Sequence, residues 1–212
     1  MHCFRYKLDH DFGLAPNPFG GIMTLAVCKG DIRRNKNLQV GDWIIGTGSK
    51  RLRRLNKLIY AMRVEGWMTF DEYWNDPQFA FKKPILNGSL VQMYGDNIYH
   101  TDLETGKVIQ EKCAHSNKDF SQHTEHTKRD TKGRNVLYSR HFYYFGDNCP
   151  NIPKDLQNVC CFSRNYSYKD IDEESINKFI AWLEDNYEVG IHGDPCNWKD
   201  NYKLRELDVY ED

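Results

Sequence analysis

The stretch VGDWIIGTGSK at residues 40–50, followed by LIYAMRV at residues 58–64, decides how this chain is expected to fold. Gly41 and Asp42 are turn residues, and the apolar run after them has the length of a strand. Glycines then end this strand in a loop, and the run at residues 58–64 predicts a second strand. The stretch therefore predicts two consecutive strands joined by a glycine-rich, basic loop.

Other segments add strands and helices around this pair. Further strands are predicted at residues 3–8, 23–28, 90–94 and 136–145. Thr69 with Glu72 three residues later forms a capping-box pattern, which predicts a short helix that residues 75–77 end. An apolar stripe at helical spacing predicts a long helix over residues 172–187, with Asp170 or Asp172 as its cap.

The fold class that follows is α+β, a β-rich body with peripheral helices and a C-terminal helix. The body is expected to span residues 1–153, and residues 154–212 form a helical extension packed on the same domain. Residues 112–134 are polar, contain three histidines and lack an apolar period, which predicts a long surface loop.

Composition excludes several classes of protein. The chain has 212 residues, 29 Lys and Arg against 30 Asp and Glu, and a formal net charge of -1. Near-neutral charge argues against a polycationic coat, but it leaves room for a local basic patch. No apolar run approaches the ~20 residues that span a bilayer, and charges interrupt the N-terminus, so no signal peptide is expected. Seven cysteines without a CxxC pair are typical of reduced thiols, and the protein is expected to be cytoplasmic.

Candidate phosphate ligands lie in the glycine-rich stretch at residues 46–50. Successive backbone N–H groups in a glycine-rich loop can form an anion-binding nest, and basic side chains follow at once. A tight turn with a solvated basic hairpin is the alternative interpretation, and the pattern is not a P-loop. The predicted phosphate-binding residues are Gly46, Thr47, Gly48, Ser49 and Lys50, with Lys82 and Lys83 steering the ligand.

Candidate base-binding residues are aromatic or carry amide or carboxylate groups. Trp43 and Tyr99 are flanked by polar residues and glycines, which suits stacking on a base; an aromatic core is the alternative. Asp96 and Asn97 could hydrogen-bond the edge of a base, or could form an Asx-turn. Asn17 precedes a proline and points into the pocket or only shapes a turn.

Catalytic groups are less clearly marked. Asp96 with His100 or His115 could transfer protons. Cys28 and Cys113 are possible nucleophiles, but nothing else in the sequence supports either. Three histidines near Cys113 (His115, His123 and His126) match no structural zinc spacing, so neither a metal nor another cofactor is expected.

A succession of motifs resembles the family called nucleotide modification associated domain 2. These motifs are APNPF at 15–19, TLA at 24–26, GDWIIGTGS at 41–49, YAM at 60–62, FDEYW at 70–74, KKP at 82–84 and GDNIYH at 95–100, continued at residues 139–146. The resemblance covers residues 1–153 and implies a place in prokaryotic or phage systems of DNA-base modification or phage conflict; it supplies no catalytic residues. A weaker likeness of fold is to the PUA-like domains, including EVE, ASCH and YTH, which implies a β-barrel that holds a modified or flipped base.

The leading hypothesis is therefore a PUA-like domain that binds a nucleotide or modified base in a DNA-modification or antiviral system. An enzyme that modifies or hydrolyses a nucleotide in the same pocket is the second hypothesis. The third is a protein-interaction module, in which Trp182, off the apolar stripe of the long helix, supports a homo-oligomer. The expected partner is a nucleotide or nucleic acid with a modified or flipped base, without contact to a membrane.

Overall fold

Three β-sheets and five short or medium helices make up the described part of the chain. The computed structural model describes residues 1–133, 135–163 and 165–199; residues 200–212 of the predicted extension lie outside them. The strands are β1 (Cys3–Leu8), β2 (Met23–Leu25), β3 (Trp43–Gly48), β4 (Leu58–Arg63), β5 (Gly66–Thr69), β6 (Tyr99–Thr101), β7 (Val108–Gln110), β8 (Asn135–Ser139), β9 (Phe142–Tyr144) and β10 (Gly190–Ile191). The helices are α1 (Gly30–Arg33), α2 (Phe70–Asn75), α3 (Leu90–Met93), α4 (Thr124–Thr131) and α5 (Glu173–Asn186).

A bent two-stranded ribbon joins the two larger sheets. The five-stranded sheet has the order β1-β3-β4-β9-β10, and the three-stranded sheet has the order β2-β8-β5. β4 runs directly into β5, and β8 into β9, so one antiparallel ribbon contributes a pair to each sheet. The α+β class is thus confirmed. Neither sheet closes on itself within the described residues, so the closed barrel implied by the PUA-like resemblance is not seen.

The central strand β3 requires glycine at two positions. It pairs in parallel with β1 and antiparallel with β4. A Cβ atom on Gly46 would lie 2.3 Å from the ring of Tyr60, and one on Gly48 would lie 2.3 Å from the carbonyl oxygen of Arg54. Both distances are far below van der Waals contact, so only glycine allows Tyr60 to pack across the strand and the next loop to fold back over it.

Three sequence-based helix predictions can be compared with the structure. The capping box of Thr69 and Glu72 is present, and α2 ends at Asn75. Asp172 caps α5, whose predicted range differs from the observed one by a single residue at each end. The strand predicted at residues 90–94 was wrong: Ser89 and Gln92 form a second capping box, and the segment is helix α3. A capping signal before a four-residue apolar run outweighs its strand-like composition.

Two further segments also differ from their predictions. Residues 112–134 were predicted as a loop, but they contain α4, which His123 caps by accepting a hydrogen bond from the amide of His126. Only Thr127 and Asp130 of α4 are buried, so the helix has no apolar period that the sequence could show. The strand predicted at residues 136–145 is two strands, because a turn at residues 140–141 separates β8 from β9.

Arg33 holds the polar helix α4 against the rest of the fold. Its guanidinium is 1 % exposed and donates to the carbonyl oxygens of Cys28, Asp130, Gly133 and Asn135 over 2.6–3.0 Å. Burial lowers the pKa of Arg33 to about 10, so the group stays charged at neutral pH. One buried cation therefore ties together the loop after β2, the end of α4 and the start of β8.

The long helix α5 shares the core of the five-stranded sheet. Ile176, Phe179 and Leu183 are buried in the same apolar cluster as β1, β3 and β4. Trp182 is half-buried and contacts the rings of Phe179 and Tyr187 within its own chain, and self-association through this face stays a prediction. No helix in the described part of the chain combines the length and apolar character needed to cross a membrane.

We expect Arg33→Met to lower the free energy of unfolding by about 3 kcal/mol or more, because each buried carbonyl left without a donor costs ~1–3 kcal/mol. Urea unfolding followed by circular dichroism measures this loss. The matched control is Arg34→Met, since the neighbouring side chain is 51 % exposed and should change stability by only ~0.5 kcal/mol. Equal effects of the two variants would contradict the role of Arg33.

Acid should weaken the attachment of the segment before α5. Arg5 is buried and pairs with Asp170, which is 56 % exposed. Burial acts to raise the pKa of Asp170, but the charge of Arg5 and hydrogen bonds hold this pKa below its usual value. A carboxyl with a lowered folded-state pKa stabilises the fold above its unfolded pKa of ~3.8, and this contribution is lost as the pH falls through the folded value.

The unfolding free energy of the wild type should therefore fall more steeply below pH ~4 than that of Asp170→Asn, which should be the less stable protein at pH 7. Asp155→Asn, at an exposed position, is the control. Chemical unfolding at a series of pH values gives the comparison, and parallel curves for wild type and Asp170→Asn would count against the ion pair.

Candidate functional site

The predicted base-edge residues lie in a closed polar network. Asp96 is completely buried and accepts hydrogen bonds from the hydroxyls of Thr24 and Tyr73, both over 2.7 Å. Asn97 is equally buried and donates its side-chain amide to the carbonyl of Tyr73. These groups therefore join β2, α2 and the turn before β6, and none of them faces solvent.

Asn17 and Lys82 complete this network from the other side. The Lys82 ammonium donates to the backbone carbonyl and to the side-chain oxygen of Asn17, over 3.1 and 2.7 Å. The Asn17 amide donates in turn to the carbonyl of Tyr94. Burial lowers the pKa of Lys82 to about 8, and burial raises the pKa of Asp96 against the opposing charge of Lys82. Lys82 is thus an interior cation that cannot steer a ligand from the surface.

The predicted stacking residues are also in the interior. Trp43 is 2 % exposed and packs against His141 and Tyr143 in the main core. Tyr99 is 1 % exposed, its ring edge meets Phe70, and its hydroxyl donates to Asp130. Neither ring has a free face in this structure, so the prediction that they stack on a base is not compatible with their placement. The aromatic-core alternative describes both.

The predicted phosphate nest is not formed. Gly46, Thr47 and Gly48 belong to β3, and the amides of Gly48 and Ser49 already donate to Lys57 and Leu8. The backbone is extended and its N–H groups are used by the sheet, so they cannot converge on an anion. Lys50 remains exposed, whereas the Lys83 ammonium lies 3.7 Å over the ring of Trp74.

The proposed acid–base pairs are separated in the fold. Among the described residues, Asp96 forms no ion pair with either histidine. His100 pairs with Glu111 over 2.7 Å and stacks on Trp74. His115 lies instead 3.2 Å from a carboxylate oxygen of Asp130. His115 therefore faces a carboxylate, but that carboxylate belongs to Asp130, a residue that sequence reasoning missed.

A second cluster, built by Cys28, His115, Asp130 and Arg129, lies at the edge of the protein interior. Cys28 follows β2, and His115 lies in the segment between β7 and α4. One donor atom from each of Cys28, His115 and Asp130 lies within 4.8 Å of the other two. Asp130 is fully buried, while Cys28 and His115 are partly buried. We call these four residues the Cys28 cluster.

Hydrogen bonds fix the carboxylate of this cluster. One oxygen of Asp130 accepts from the backbone amide of Cys28 and from Nε of Arg129, over 3.0 and 3.1 Å. The other accepts from the Tyr99 hydroxyl over 3.1 Å. Cys28 and Lys29 have positive φ values of 56° and 41°, a conformation that costs ~1–2 kcal/mol for residues with a side chain. Strain of this kind is often found at functional sites.

Electrostatics in the Cys28 cluster favour a protonated thiol and an ionised carboxyl. Burial and the Asp130 carboxylate raise the pKa of Cys28, although Arg129, Arg33 and Lys29 oppose this. Burial acts to raise the pKa of Asp130 too, but His115 and Arg129 hold it below its ordinary value. The site thus contains one negative charge with a sulfur and an imidazole beside it.

The remaining histidines stack beside this cluster without forming a common ligand set. The ring of His126 lies 3.6 Å from that of His123 and 4.1 Å from that of His115. Cys113 is buried, and its sulfur lies 3.4 Å from the Ser116 hydroxyl. Among the described residues, the only metal-like grouping of His, Cys, Asp and Glu is the one at Cys28.

A basic loop at residues 50–57 forms a separate charged surface. Lys50, Arg51 and Arg53 are exposed, and Arg54 and Lys57 are half-buried. None of these five cations forms an ion pair with a carboxylate in the part of the chain that the structure describes. Open surface depressions of about 470 and 440 Å³ lie elsewhere, one beside Tyr166 and one beside His192, and no sequence-predicted site residue lines either.

The fold and these two surfaces define a mixed α+β domain with a thiol–imidazole–carboxylate cluster and a separate cationic loop. Family comparison is more specific. The sequence model of nucleotide modification associated domain 2 matches residues 1–202, so the chain belongs to that family. The match extends beyond the motifs at residues 1–153 and includes α5. Comparison with curated proteins gives no match, and comparison with solved structures gives none either.

Sequence reasoning missed Asp130, Arg129 and Arg33, and set Cys28 aside. Cys28 and His115 are 87 positions apart in the sequence. They meet because hydrogen bonds of Arg33 and Asp130 hold the polar segment at residues 112–134 against the loop after β2. The one available signal is the concentration of histidines at residues 115–126. A polar segment has few apolar side chains that could hold it against the fold, so it depends on a buried polar contact. Asp130 in α4 supplies that contact.

We expect Asp96→Ala to lower the unfolding free energy by about 2–5 kcal/mol, because it leaves two buried hydroxyls without their acceptor and removes the negative charge that favours the charged form of Lys82. Thermal and urea unfolding measure the change, with Glu104→Ala at an exposed position as the control. A variant as stable as the wild type that had lost nucleotide binding would restore Asp96 as a base-binding residue.

Proposed function

We propose that this domain binds the phosphate groups of a nucleotide or of a short single-stranded nucleic acid through the basic loop at residues 50–57. The observation that carries this proposal is the set of five cations without carboxylate partners among the described residues. Phosphate contacts by Lys and Arg supply most of the affinity in nonspecific nucleic-acid binding, and an unpaired cation keeps its charge available for them.

The structure of the loop supports this role because its backbone is ordered. The amides of Arg53 and Arg54 donate to the carbonyls of Lys50 and Ser49, and the buried side chain of Leu52 anchors the loop to the core. Side chains on a fixed backbone lose less conformational freedom on binding than side chains on a mobile one. Arg51 and Arg53 therefore project from a preformed turn.

Some exposed cations elsewhere are paired with neighbouring carboxylates. Lys128 pairs with Glu125, and Lys178 pairs with Glu174. The whole chain has a net charge of -1, but the basic loop forms a local positive surface. Because only about five phosphates can be contacted there, a nucleotide or a short strand fits better than a long duplex.

Membership of the family supports a partner related to nucleotides. We place the protein, as part of this proposal, in a prokaryotic or phage system of DNA modification or antiviral conflict. The bent ribbon of β4–β5 and β8–β9 is compatible with a PUA-like ancestry, which also belongs to the proposal. Base recognition is not assigned to Trp43 or Tyr99, because both are in the core.

A second candidate function is catalysis on the bound nucleotide. The Cys28 cluster favours it, because a thiol, an imidazole and a carboxylate lie within 4.8 Å of one another, and two of the three residues are partly exposed. Such groups are the usual participants in nucleophilic or acid–base chemistry. The acid–base partner of His115 in this candidate is Asp130, which replaces Asp96.

Fluorescence anisotropy with a short labelled single-stranded oligonucleotide, measured at several salt concentrations, tests the phosphate-binding proposal. The double variant Lys50→Ala/Arg51→Ala removes two exposed cations. We expect weaker binding and a salt dependence reduced by about 1.4 in slope, since each contacted phosphate of a single strand contributes ~0.7.

The matched control is Lys128→Ala/Lys178→Ala, which removes the same charge from two exposed, paired positions. It should bind like the wild type. Absence of binding by the wild type at low salt, or an equal loss in both double variants, would refute the role of the basic loop.

A further inference from the structure

The Cys28 cluster presents three different electron-pair donors to a single point. A sulfur, an imidazole nitrogen and a carboxylate oxygen lie within 4.8 Å of one another. In a tetrahedral zinc site with bonds of ~2.0–2.3 Å, neighbouring ligand atoms lie about 3.4–3.8 Å apart. Shifts of about 1 Å at the half-buried Cys28 and His115 side chains are enough to reach that spacing.

The surroundings hold these donors as a metal site requires. The Tyr99 hydroxyl and the Cys28 amide orient the two oxygens of Asp130. The carbonyl of His115 lies within hydrogen-bond distance of the ring of His126 and of the side-chain amide of Gln110. The contacts to the carbonyl fix the backbone of His115, and hydrogen bonds to a ligating carboxylate, as at Asp130, are a regular feature of protein metal sites.

Arg129 already supplies a positive charge at the same point. Its Nη2 atom lies 3.2 Å from Nε2 of His115 and 4.0 Å from the Cys28 sulfur, and its Nε donates to Asp130. The side chain is 53 % exposed, so its guanidinium can turn into solvent. Because Arg129 contacts all three donor residues, it and a metal ion would compete for them.

We propose that Cys28, His115 and Asp130 bind a divalent transition-metal ion of the zinc type, and that Arg129 competes with this ion for the site. Sulfur and imidazole donors favour zinc and its neighbours over magnesium or calcium, which prefer oxygen. Binding breaks the S–H bond of Cys28, the proton passes to solvent, and sulfur donates its electron pair to the metal. No oxidation or reduction is involved.

Three protein ligands are typical of catalytic zinc sites, which keep a fourth position for water or substrate. Structural zinc sites instead use four protein ligands. Water or substrate would take this fourth position at the Cys28 cluster, where Cys28 and His115 are partly exposed. This assignment differs from the expectation from sequence that no metal is bound, because spacing along the chain could not bring Cys28 and Asp130 to His115.

Titration of the metal-stripped full chain with cobalt(II), followed by absorption spectroscopy, tests the proposal. Cobalt replaces zinc in such sites, and a thiolate ligand gives a charge-transfer band in the near ultraviolet. We expect one equivalent to bind with this band. Cys28→Ser should abolish the band, and His115→Gln should weaken affinity by about 100-fold or more, since even supporting residues contribute 10–100-fold.

Four variants test the identity of the site. Cys113→Ser and His123→Gln remove two other possible donors of the same segment and should leave the band and the affinity unchanged. Arg129→Ala should tighten cobalt binding, because a competing cation is removed. Asp130→Asn is informative only if circular dichroism shows a folded chain, because Asp130 also holds the backbone of Cys28; Cys28→Ser does not have this complication.

The proposal is overturned if the wild type shows no thiolate-to-cobalt band. It is also overturned if the band survives in Cys28→Ser and disappears in Cys113→Ser, or if Arg129→Ala weakens binding. Oligonucleotide binding at the basic loop involves different residues, so its success or failure is independent of this result.

Discussion

The buried guanidinium of Arg33 is the constraint on which the arrangement of this domain depends. It satisfies four carbonyl groups from three separate segments, and α4 has almost no apolar side chain that could hold it in place otherwise. Because the charge cannot be satisfied elsewhere without a large desolvation cost, the loop after β2, α4 and β8 must meet around it. The position of Cys28 beside Asp130 is a consequence of this meeting.

Asp96 and Asp130 are both buried carboxylates, but their surroundings differ. This difference indicates which of the two a ligand can reach. Asp96 is enclosed by hydroxyls and faces an interior lysine, so its partners are complete and no ligand can reach it. Asp130 is bonded by groups that themselves reach solvent, His115 and Arg129. A ligand or ion that enters at His115 can exchange with those partners, whereas any change at Asp96 would leave buried polar groups unpaired.

Elements with a local signal could be predicted from the sequence. The capping box at Thr69, the apolar stripe of α5 and the strand at residues 43–48 each depend on neighbours within a few positions. The site could not be predicted, because it depends on contacts between residues about 100 positions apart. Of the predicted base-binding residues, Asn17, Asp96 and Asn97 lie in the buried polar network, and Trp43 and Tyr99 lie in the core. A sequence motif shows that a position is constrained, and the structure is needed to show whether a ligand or the core constrains it.

The glycines after Trp43 illustrate how a motif can serve a site without touching a ligand. Gly46 and Gly48 resemble an anion nest, yet their amides belong to β3. The absence of a side chain at Gly48 allows the backbone of Arg54 to cross directly over the strand, and this crossing folds the basic loop into its turn. The glycines therefore determine where the cations lie. Phosphate recognition by this segment, as proposed, would come from side chains that the glycine motif positions, and the backbone amides would take no part in it.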